Sequence, residues 1–449
     1  MSETGHVVVI GTGAAGTAAA RTLSAAGWKV TAIERDRVGG TCLWYGCMPK
    51  KALYHAARTR RAGSRAEMFG IDSPGGFDWQ SVLGWKWHSQ ETYAGDQEAG
   101  LAERGITLVR GDACFVAEDA IEVAGERIGF DRAVIATGSV PTLPPVDGIE
   151  LADTSNDALG YPEPPRSLLV VGGGFIGIEL GTVYASFGTE VTVITSADRL
   201  LEMLDEEVAE VAVRRLARMG VTFHTSCRLG ELDGEPGSVQ ASFSDGAGNG
   251  HTGTWERVLV ATGRRPALSG LELAAAGVET DDRGLPVLDD SLRTTNERIW
   301  FAGDAAGRMM QTPAASYMGR TVGTSIVSGT PASVDTSLIP TCLFTTPQIA
   351  QVGLTEAAAL QAGTGVEIGR APFEFLGAAG IEEERDGTVK LIFSASDGRL
   401  VGAHIAGPTA SDRVYAMSVA MRSGATRDTL RATVGIHPAY CEALNWAAG

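Results

Sequence analysis

The sequence predicts an α/β protein in which one βαβ unit occurs twice and a different domain of strands and helices follows. Two observations support this fold class. Residues 7–16 read VVVIGTGAAG and residues 168–177 read LLVVGGGFIG, so an apolar strand leads into G-x-G-x-x-G in both places. After residue 335 the pattern changes to alternating strands, such as VKLIF at residues 389–393, and two helical stretches without that glycine pattern.

The two units are in register with each other. Each glycine pattern is followed by a helical stretch rich in small residues and then by a second apolar strand, at residues 30–33 and 191–194. The residue that ends this strand is Glu34 in the first copy and Thr195 in the second, each 23 positions beyond the first glycine. The equal spacing indicates an internal repeat.

Both units are predicted to bind a dinucleotide. A single G-x-G-x-x-G match is a weak signal in a chain with 58 glycines, and an ordinary loop is the alternative. Between a strand and a helix, however, such glycines admit a pyrophosphate to the helix N-terminus, as in Rossmann-like domains. A carboxylate at Glu34 can bind ribose hydroxyls. Two sites in one chain predict a flavin plus a nicotinamide, because one can pass hydride to the other.

Candidate contacts of the two cofactors follow from this placement. The first site comprises Gly11, Gly13, Ala14, Ala15, Gly16, Glu34 and Arg35. The second comprises Gly172, Gly174, Phe175, Ile176, Gly177, Thr195, Ser196, Arg199 and Gly263. A later strand, IWF at residues 299–301, leads to Asp304, whose carboxylate can accept hydrogen bonds from the ribityl hydroxyls of a flavin. An ordinary turn aspartate is the alternative.

Length, charge and composition narrow the class of protein. A chain of 449 residues with 44% hydrophobic and 20% charged residues predicts about three globular domains. A net charge of −17 argues against nucleic acid or anionic lipid as partners, so we expect small molecules. The first residues lack the pattern of a secretion signal, and no apolar run reaches the length of a membrane span. The sequence therefore predicts a cytoplasmic protein.

Two closely spaced cysteines, Cys42 and Cys47, lie shortly after Glu34 in the sequence GGTCLWYGCMPKK. A separation of five residues on a helix brings two sulfurs near enough for a disulfide if the first turn is distorted, which Gly46 permits. Zinc requires more than two ligands and no neighbouring histidine or second cysteine pair supplies them, so we expect no metal. A structural disulfide is the remaining alternative to a redox pair.

Taken together, these motifs resemble the FAD-dependent pyridine nucleotide-disulfide oxidoreductases. The resemblance is carried by GGTCLWYGCMPKK, the two glycine patterns, FAGD at residues 301–304 and HPAYCE at residues 437–442, which occur in the family's order. The family includes dihydrolipoamide dehydrogenase, glutathione reductase and mercuric reductase. The resemblance implies an FAD domain at residues 1–148, an NAD(P) domain at 149–266, a central segment at 267–335 and a dimerisation domain at 336–449.

The resemblance also implies roles for individual residues. Cys47 matches the cysteine against the flavin, whose thiolate forms a charge-transfer complex, and Cys42 matches the cysteine that attacks substrate. His437 and Glu442 match the base and its orienting carboxylate, which the partner subunit supplies, so the resemblance implies a homodimer with shared active sites. Elementary chemistry agrees, because a thiol with a pKa of about 8.5 needs a base nearby to become a nucleophile.

Further family positions surround the flavin. Lys50 or Lys51 is expected to pair with Glu179 and to stabilise the anionic reduced flavin, although exposed lysines are the alternative. The remaining flavin contacts implied by the resemblance are Gly40, Thr41, Ala113, Ala136, Thr137, Gly138, Asp304, Gln311, Thr312 and Pro313.

The sequence departs from the family where substrate approaches. Trp44 and Tyr45 replace the usual Asn-Val between the cysteines, and Cys441 replaces the common serine before Glu442. These changes put the common substrates, lipoamide and glutathione among them, in question. No second cysteine pair follows Glu442, which disfavours relatives that relay electrons through C-terminal cysteines.

The function expected from the sequence is an NAD(P)H-dependent reductase of a small-molecule disulfide, or the reverse dithiol oxidase. NADPH is expected to serve at least as well as NADH, because Thr195 places no carboxylate where the 2′-phosphate would lie. A metal-ion or quinone reductase is a second hypothesis. A flavoprotein with a binding or assembly role and little turnover is a third, and a binding module has no need for Cys42, Cys47, His437 and Glu442.

Overall fold

A computed structural model of the protein describes residues 4–73 and 75–449. The chain forms two compact units. The first unit comprises Met1–Ala52, Ser81–Thr142 and Gly263–Thr336, and the second comprises Leu53–Gln80, Leu143–Thr262 and Ser337–Gly449. The four domain ranges expected from the sequence stay predictions.

The helices of the described residues are α1 Ala14–Ala25, α2 Gly40–Trp44, α3 Cys47–Ser64, α4 Trp79–Ala102, α5 Ser155–Ala158, α6 Phe175–Ser186, α7 Glu206–Arg218, α8 Thr312–Ser328, α9 Glu356–Gln361, α10 Gly377–Glu382, α11 Ala410–Arg422, α12 Arg427–Ala432 and α13 Glu442–Ala448.

The strands are β1 His6–Ile10, β2 Lys29–Glu34, β3 Thr107–Arg110, β4 Ala113–Ala117, β5 Ala120–Val123, β6 Glu126–Gly129, β7 Arg132–Ile135, β8 Ser139–Pro141, β9 Ser167–Val171, β10 Glu190–Ile194, β11 Thr222–His224, β12 Arg228–Glu235, β13 Ser238–Ser244, β14 Gly250–Trp255, β15 Arg257–Val260, β16 Arg264–Pro266, β17 Ile299–Phe301, β18 Thr341–Leu343, β19 Gln348–Gly353, β20 Val366–Pro372, β21 Thr388–Ser394 and β22 Leu400–Gly407.

The first unit is built on a parallel sheet in the order β17-β7-β1-β2-β3. Strand β1 lies at its centre, with Val8 opposite Thr31 of β2 and Ala133 of β7. Three consecutive residues of β1, Val7 to Val9, are fully buried. A strand that is covered on both faces consists of consecutive apolar residues, which explains the VVVI segment of β1. Helices α1 and α8 pack against each other beside this sheet.

The second unit contains the repeat of that arrangement and a second kind of sheet. Its parallel sheet has the order β11-β10-β9-β15, with β9 and β10 in the places that β1 and β2 hold in the first unit. Its other large sheet, β18-β19-β22-β21-β20, is antiparallel throughout, and α11 and α13 pack on it. The predicted fold class, two Rossmann-like units and a C-terminal α+β domain, is confirmed.

Glycine is required at equivalent positions of the two repeats. Gly11 has φ +99° and a side chain there would begin 2.3 Å from the carbonyl oxygen of Ala136. Gly172 has φ +123° and the same 2.3 Å approach to the carbonyl oxygen of Ala261. Each turn therefore brings the first strand and its neighbour closer than any side chain allows.

A buried charge cluster joins α7 to the antiparallel sheet of the second unit. The side chain of Lys390 on β21 is 3% exposed and its Nζ lies 3.0 Å from Asp205, 2.9 Å from Glu207 and 2.6 Å from Glu356. Asp205 also caps α7 by accepting the backbone N–H of Glu207. A buried ammonium group is stable only when negative charges lie close to it. The three carboxylates therefore hold α7 and the antiparallel sheet together.

None of the helices in the part of the chain that the structure describes combines the length and the apolar character needed to cross a membrane.

The contact between α1 and α8 gives a stability prediction. A side chain at Gly319 of α8 would begin 2.1 Å from the backbone oxygen of Ala15 in α1. We expect Gly319→Ala to lower the free energy of unfolding by about 1–3 kcal/mol through overpacking. The matched control is Gly84→Ala in α4, where no described atom lies within 4 Å, and helix propensity should raise stability by up to about 1 kcal/mol. The free energy of unfolding of both variants is measured by urea denaturation. An equal loss of stability in Gly319→Ala and Gly84→Ala would contradict this packing.

Candidate active site

The two cysteines lie on consecutive helices of the first unit. Cys42 lies within α2, and Cys47 is the first residue of α3, with Tyr45 and Gly46 between the helices. The expectation of one distorted helix is therefore wrong. A side chain at Gly46 would begin 3.0 Å from the carbonyl oxygen of Thr41, so the turn between the two helices leaves little room for one.

Gln90 stabilises the end of α2, and the sequence analysis did not find it. This fully buried residue of α4 donates from Nε2 to the carbonyl oxygens of Leu43 and Trp44, at 2.9 and 3.1 Å. The last carbonyls of a helix have no partner within the helix, so a buried amide that satisfies two of them holds the cysteine loop in place. A lone glutamine in a helical stretch gives no sequence signal of this role.

The two sulfurs interact directly. Both are free thiols, and they form a hydrogen bond with each other. Cys47 Sγ also lies 3.1 Å from the hydroxyl of Thr312. The expected contact of Thr312 with the flavin stays a prediction.

This surrounding moves the two pKa values in opposite directions. The hydrogen bond from Cys42 lowers the pKa of Cys47 to about 6 against the effect of burial, with help from the Thr312 hydroxyl and the positive charges of Lys51 and Lys50. The hydrogen bond to Cys47 and burial raise the pKa of Cys42. Cys42 therefore keeps the shared proton and Cys47 is the thiolate. The N-terminus of α3 at Cys47 favours the same charge distribution.

The aromatic residues between the cysteines make contacts that stabilise the loop at residues 36–38. Trp44 donates from Nε1 to the carbonyl oxygen of Val38 at 2.9 Å, and the guanidinium of Arg37 lies 4.6 Å from the centre of its ring. Tyr45 donates its hydroxyl to Asp36 at 2.9 Å. These contacts give Trp44 and Tyr45 a structural role at residues 36–38.

The first glycine pattern forms a surface that fits FAD. Gly13 begins α1 without a side-chain cap, and no described atom lies within 4 Å of where a side chain would start. The hydroxyl of Thr137 is buried and has no hydrogen-bond partner among the described residues. Glu34 accepts from the backbone N–H and hydroxyl of Thr12, at 2.9 and 2.7 Å, which fixes its carboxylate at the end of β2. An open helix N-terminus, an unsatisfied hydroxyl and a fixed carboxylate suit a dinucleotide.

Asp304 lies in a short 3-10 turn after β17 and is held by a residue that the sequence analysis missed. Ser139 donates its hydroxyl to Asp304 at 2.6 Å, and Arg264 donates to the same hydroxyl oxygen at 2.7 Å. The other expected flavin contacts lie in this unit: Gly40 and Thr41 in α2, Ala113 in β4, Ala136 and Gly138 after β7, Gln311 before α8, Pro313 within it, and Arg35 3.8 Å from exposed Asp112.

The second glycine pattern offers a similar opening with different surroundings. Gly174 begins α6 without a side-chain cap. Thr195 is buried and accepts the backbone N–H of Ala197 at 3.3 Å, while Ser196 is exposed. The guanidinium of Arg199 donates to four backbone carbonyl oxygens, at Leu200, Leu201, Glu202 and Leu204. Arg199 therefore supports its own loop, and a phosphate would have to replace these bonds.

Glu179 lies in α6, just beyond the second glycine pattern. It is 2% exposed and accepts the backbone N–H of Phe344 at 2.7 Å. Its expected pairing with Lys50 or Lys51 stays a prediction.

The expected base and its carboxylate meet in the second unit. Nδ1 of His437 lies 2.9 Å from Oε1 of Glu442, and Oε2 of Glu442 accepts the backbone N–H of Ala439 at 2.9 Å. The bond from Ala439, and then the bond from His437, lower the pKa of Glu442. A carboxylate on Nδ1 favours the tautomer with a proton there, so Nε2 is free to accept one. The imidazole is 76% exposed and available to a partner.

Comparisons with known proteins agree with this geometry. The profile of the pyridine nucleotide-disulphide oxidoreductases matches residues 5–319, and the profile of their dimerisation domain matches residues 339–448. A dihydrolipoyl dehydrogenase of Haloferax volcanii is 34% identical over 99% of this chain and 95% of its own length. A mercuric reductase of Bacillus cereus is 33% identical over 98% of this chain and 70% of its own length.

A solved structure shows the same arrangement over the whole chain. The HOCl-induced flavoprotein disulfide reductase RclA from Escherichia coli superposes with a TM-score of 0.88 at 27% identity, covering 98% of both chains. Together with the two profiles, this shows that the chain belongs to the pyridine nucleotide-disulphide oxidoreductase family.

Proposed function

We propose that this flavoprotein uses NADPH to reduce a small-molecule disulfide in the cytoplasm, and that a homodimer forms its active sites. The balanced reaction is NADPH + H⁺ + RSSR → NADP⁺ + 2 RSH. The observation that supports it most directly is the close placement of Cys42 and Cys47 on consecutive helices, with Cys47 Sγ 3.1 Å from the Thr312 hydroxyl, in surroundings that lower the pKa of Cys47 and raise that of Cys42. FAD, when bound, passes two electrons between the nicotinamide and the cysteine pair.

The cysteines carry the exchange chemistry. Cys42 attacks one sulfur of the substrate, which forms a mixed disulfide and releases the first thiol. Cys47 then attacks Cys42, which releases the second thiol and leaves the Cys42–Cys47 disulfide. Cys42 borders an open cavity whose lining does not include Cys47, which supports Cys42 as the substrate-facing sulfur.

His437 moves the protons of this exchange. Nε2 takes the proton of Cys42 when that sulfur attacks and returns it to the departing thiol, while Glu442 holds Nδ1. As the family implies, we assign this histidine to the partner subunit. The match to the dimerisation domain and the high exposure of the imidazole support that assignment.

Reduction of a thiophilic metal ion is the second candidate function. It is favoured by the similarity to a mercuric reductase, because a dithiol that attacks disulfides also binds soft metal ions. Turnover of Hg(II) and Cu(II) beside a panel of disulfides separates the two candidates.

The first functional prediction concerns Cys47. In the two-electron-reduced protein, long-wavelength charge-transfer absorbance should require the Cys47 thiolate and be lost as pH falls through about 6. Cys47→Ser should abolish the band with FAD still bound. Lys51→Gln should move the midpoint upward, whereas Lys29→Gln, an exposed change on β2, should not. A full band in Cys47→Ser, or a midpoint near that of an ordinary thiol, would exclude this role.

The second prediction concerns His437. His437→Gln should lower disulfide turnover by about 100-fold or more through loss of acid–base catalysis, with flavin reduction by NADPH far less affected. Mixing inactive His437→Gln with inactive Cys42→Ser subunits should restore part of the activity, because each heterodimer then contains one intact composite site. Verified heterodimers without recovery would place the base and the cysteines in the same subunit.

The third prediction concerns the nicotinamide donor. NADPH should have a kcat/KM at least equal to that of NADH, because Thr195 places no carboxylate beside the 2′-phosphate and Ser196 is an exposed donor. Since Arg199 bonds to its own loop, Arg199→Gln should weaken NADPH and NADH similarly. Steady-state kinetics with both donors at one ionic strength decides. A preference for NADH above about tenfold, or roughly 1.4 kcal/mol, would overturn the assignment.

A further inference from the structure

The loop between β10 and α7 packs against the second glycine pattern. The backbone N–H of Leu201 donates to the carbonyl oxygen of Gly173 at 2.9 Å. A side chain at Gly174, which precedes the first turn of α6, would begin 3.7 Å from the end of the Met203 side chain. Residues 199–205, the nucleotide loop, therefore border the opening where the pyrophosphate of the nicotinamide dinucleotide is expected.

Leu201 gives the nucleotide loop a backbone conformation that a leucine rarely adopts. Its φ is +55°, in the left-handed region, and its side chain is 1% exposed. A bulky residue stays in this region only when the surrounding structure holds it there. The contacts that restrain the nucleotide loop therefore decide the shape of the site beside it.

One amide side chain of the antiparallel sheet provides such contacts. Gln351 of β19 donates from Nε2 to the carbonyl oxygen of Met203 at 3.0 Å, and its Oε1 accepts the backbone N–H of Asp205 at 3.1 Å. A carbonyl oxygen requires a donor and a backbone N–H requires an acceptor, so these two partners fix the orientation of the amide. Gln351 therefore binds the nucleotide loop on both sides of Leu204.

His404 of β22 supports Gln351. The two residues are opposite each other in the ladder of β19 and β22, and Nδ1 of His404 lies 3.2 Å from Oε1 of Gln351. Nε2 of His404 lies 2.9 Å from the carbonyl oxygen of Leu354, and the ring is fully buried. On β21, Lys390 is opposite His404 and binds the carboxylate of Asp205 at 3.0 Å. Three strands therefore direct polar side chains at one end of the nucleotide loop.

We propose that Gln351 and His404 are positioning residues of the nicotinamide dinucleotide site, which hold the nucleotide loop against the second glycine pattern. Gln351 contacts the loop directly, and His404 acts through Gln351. A loop that is fixed before the ligand arrives does not have to be ordered on binding, so this restraint raises the affinity. The inference rests on the assignment of that glycine pattern to the nicotinamide dinucleotide, and it is independent of the acceptor that the enzyme reduces.

The main test measures the dissociation constants of NADP⁺ and NAD⁺ for the oxidised, FAD-loaded protein by isothermal titration calorimetry. Gln351→Met keeps the size of the side chain and removes the amide. We expect it to raise the Kd of the tighter-binding nucleotide by about fivefold or more, because two hydrogen bonds to the loop are lost. The rate of flavin reduction at a saturating concentration of the reduced nucleotide should change by less than about twofold. An unchanged Kd would overturn the inference.

Gln348→Met is the matched control. Gln348 is the first residue of the same strand and is 6% exposed, and its Oε1 accepts from the backbone N–H and the hydroxyl of Ser411, at 3.2 and 3.1 Å. This change also removes a buried amide from β19, but these bonds lie outside the nucleotide loop, so Kd should stay the same. Equal increases of Kd in both variants would indicate a general loss of structure and would overturn the inference.

His404→Phe shows whether the histidine acts through the glutamine. Alone it should raise Kd by about twofold or more, and in combination with Gln351→Met it should add nothing, because both changes release the same contact. Additive effects of the two changes would overturn the role of His404.

Hydrogen exchange separates the position of the site from the role of Gln351. In the wild-type protein, the tighter-binding nucleotide should slow amide exchange in residues 172–178 and in the nucleotide loop. Gln351→Asn, a milder change that shortens the amide, should speed exchange of the free loop by about fivefold or more. If the nucleotide binds and residues 172–178 stay unprotected, the assignment of the site fails. If those residues are protected and the loop of Gln351→Asn exchanges as in the wild type, the positioning role fails.

Discussion

The hydrogen bond between Cys42 and Cys47 is the interaction on which the chemistry of this protein depends. The two sulfurs are partly buried and share one proton, so stabilising the Cys47 thiolate also keeps Cys42 protonated. The protein maintains this pair through backbone geometry. Gly46 separates α2 from α3, and Gln90 satisfies the open end of α2. Small shifts in either helix would separate the sulfurs and release both pKa values toward those of ordinary thiols.

The two dinucleotide units show how one supersecondary structure serves two partners. Gly11 and Gly172 make the same close approach to the neighbouring strand, so the openings at the helix N-termini have the same origin. The difference lies at the end of the second strand. Glu34 presents a fixed carboxylate there, whereas Thr195 presents a hydroxyl. Both units keep the same glycine turn, and they differ in the side chain at the end of the second strand.

Charge is distributed unevenly for a protein with a net charge of −17. The buried ammonium of Lys390 is surrounded by three carboxylates, as expected in an acidic chain. Arg21 and Arg320, in contrast, line a cavity that contains no acidic side chain.

The sequence by itself determined the fold class and the chemistry-bearing residues. Parallel strands that are buried on both faces form continuous apolar runs, so VVVI and LLVV could be identified as strands from the sequence. Tight turns from a strand to a helix need glycine, so both glycine patterns could be identified as well. Only the tertiary structure decided that the cysteines lie on separate helices and that Arg199 bonds to its own loop. It alone also brought Arg21 and Arg320, 299 positions apart in the chain, to one cavity with Cys42. Local sequence patterns indicate which residues must be buried and which positions require glycine. Contacts between helices that are distant in sequence depend on tertiary packing, which a short stretch of sequence does not determine.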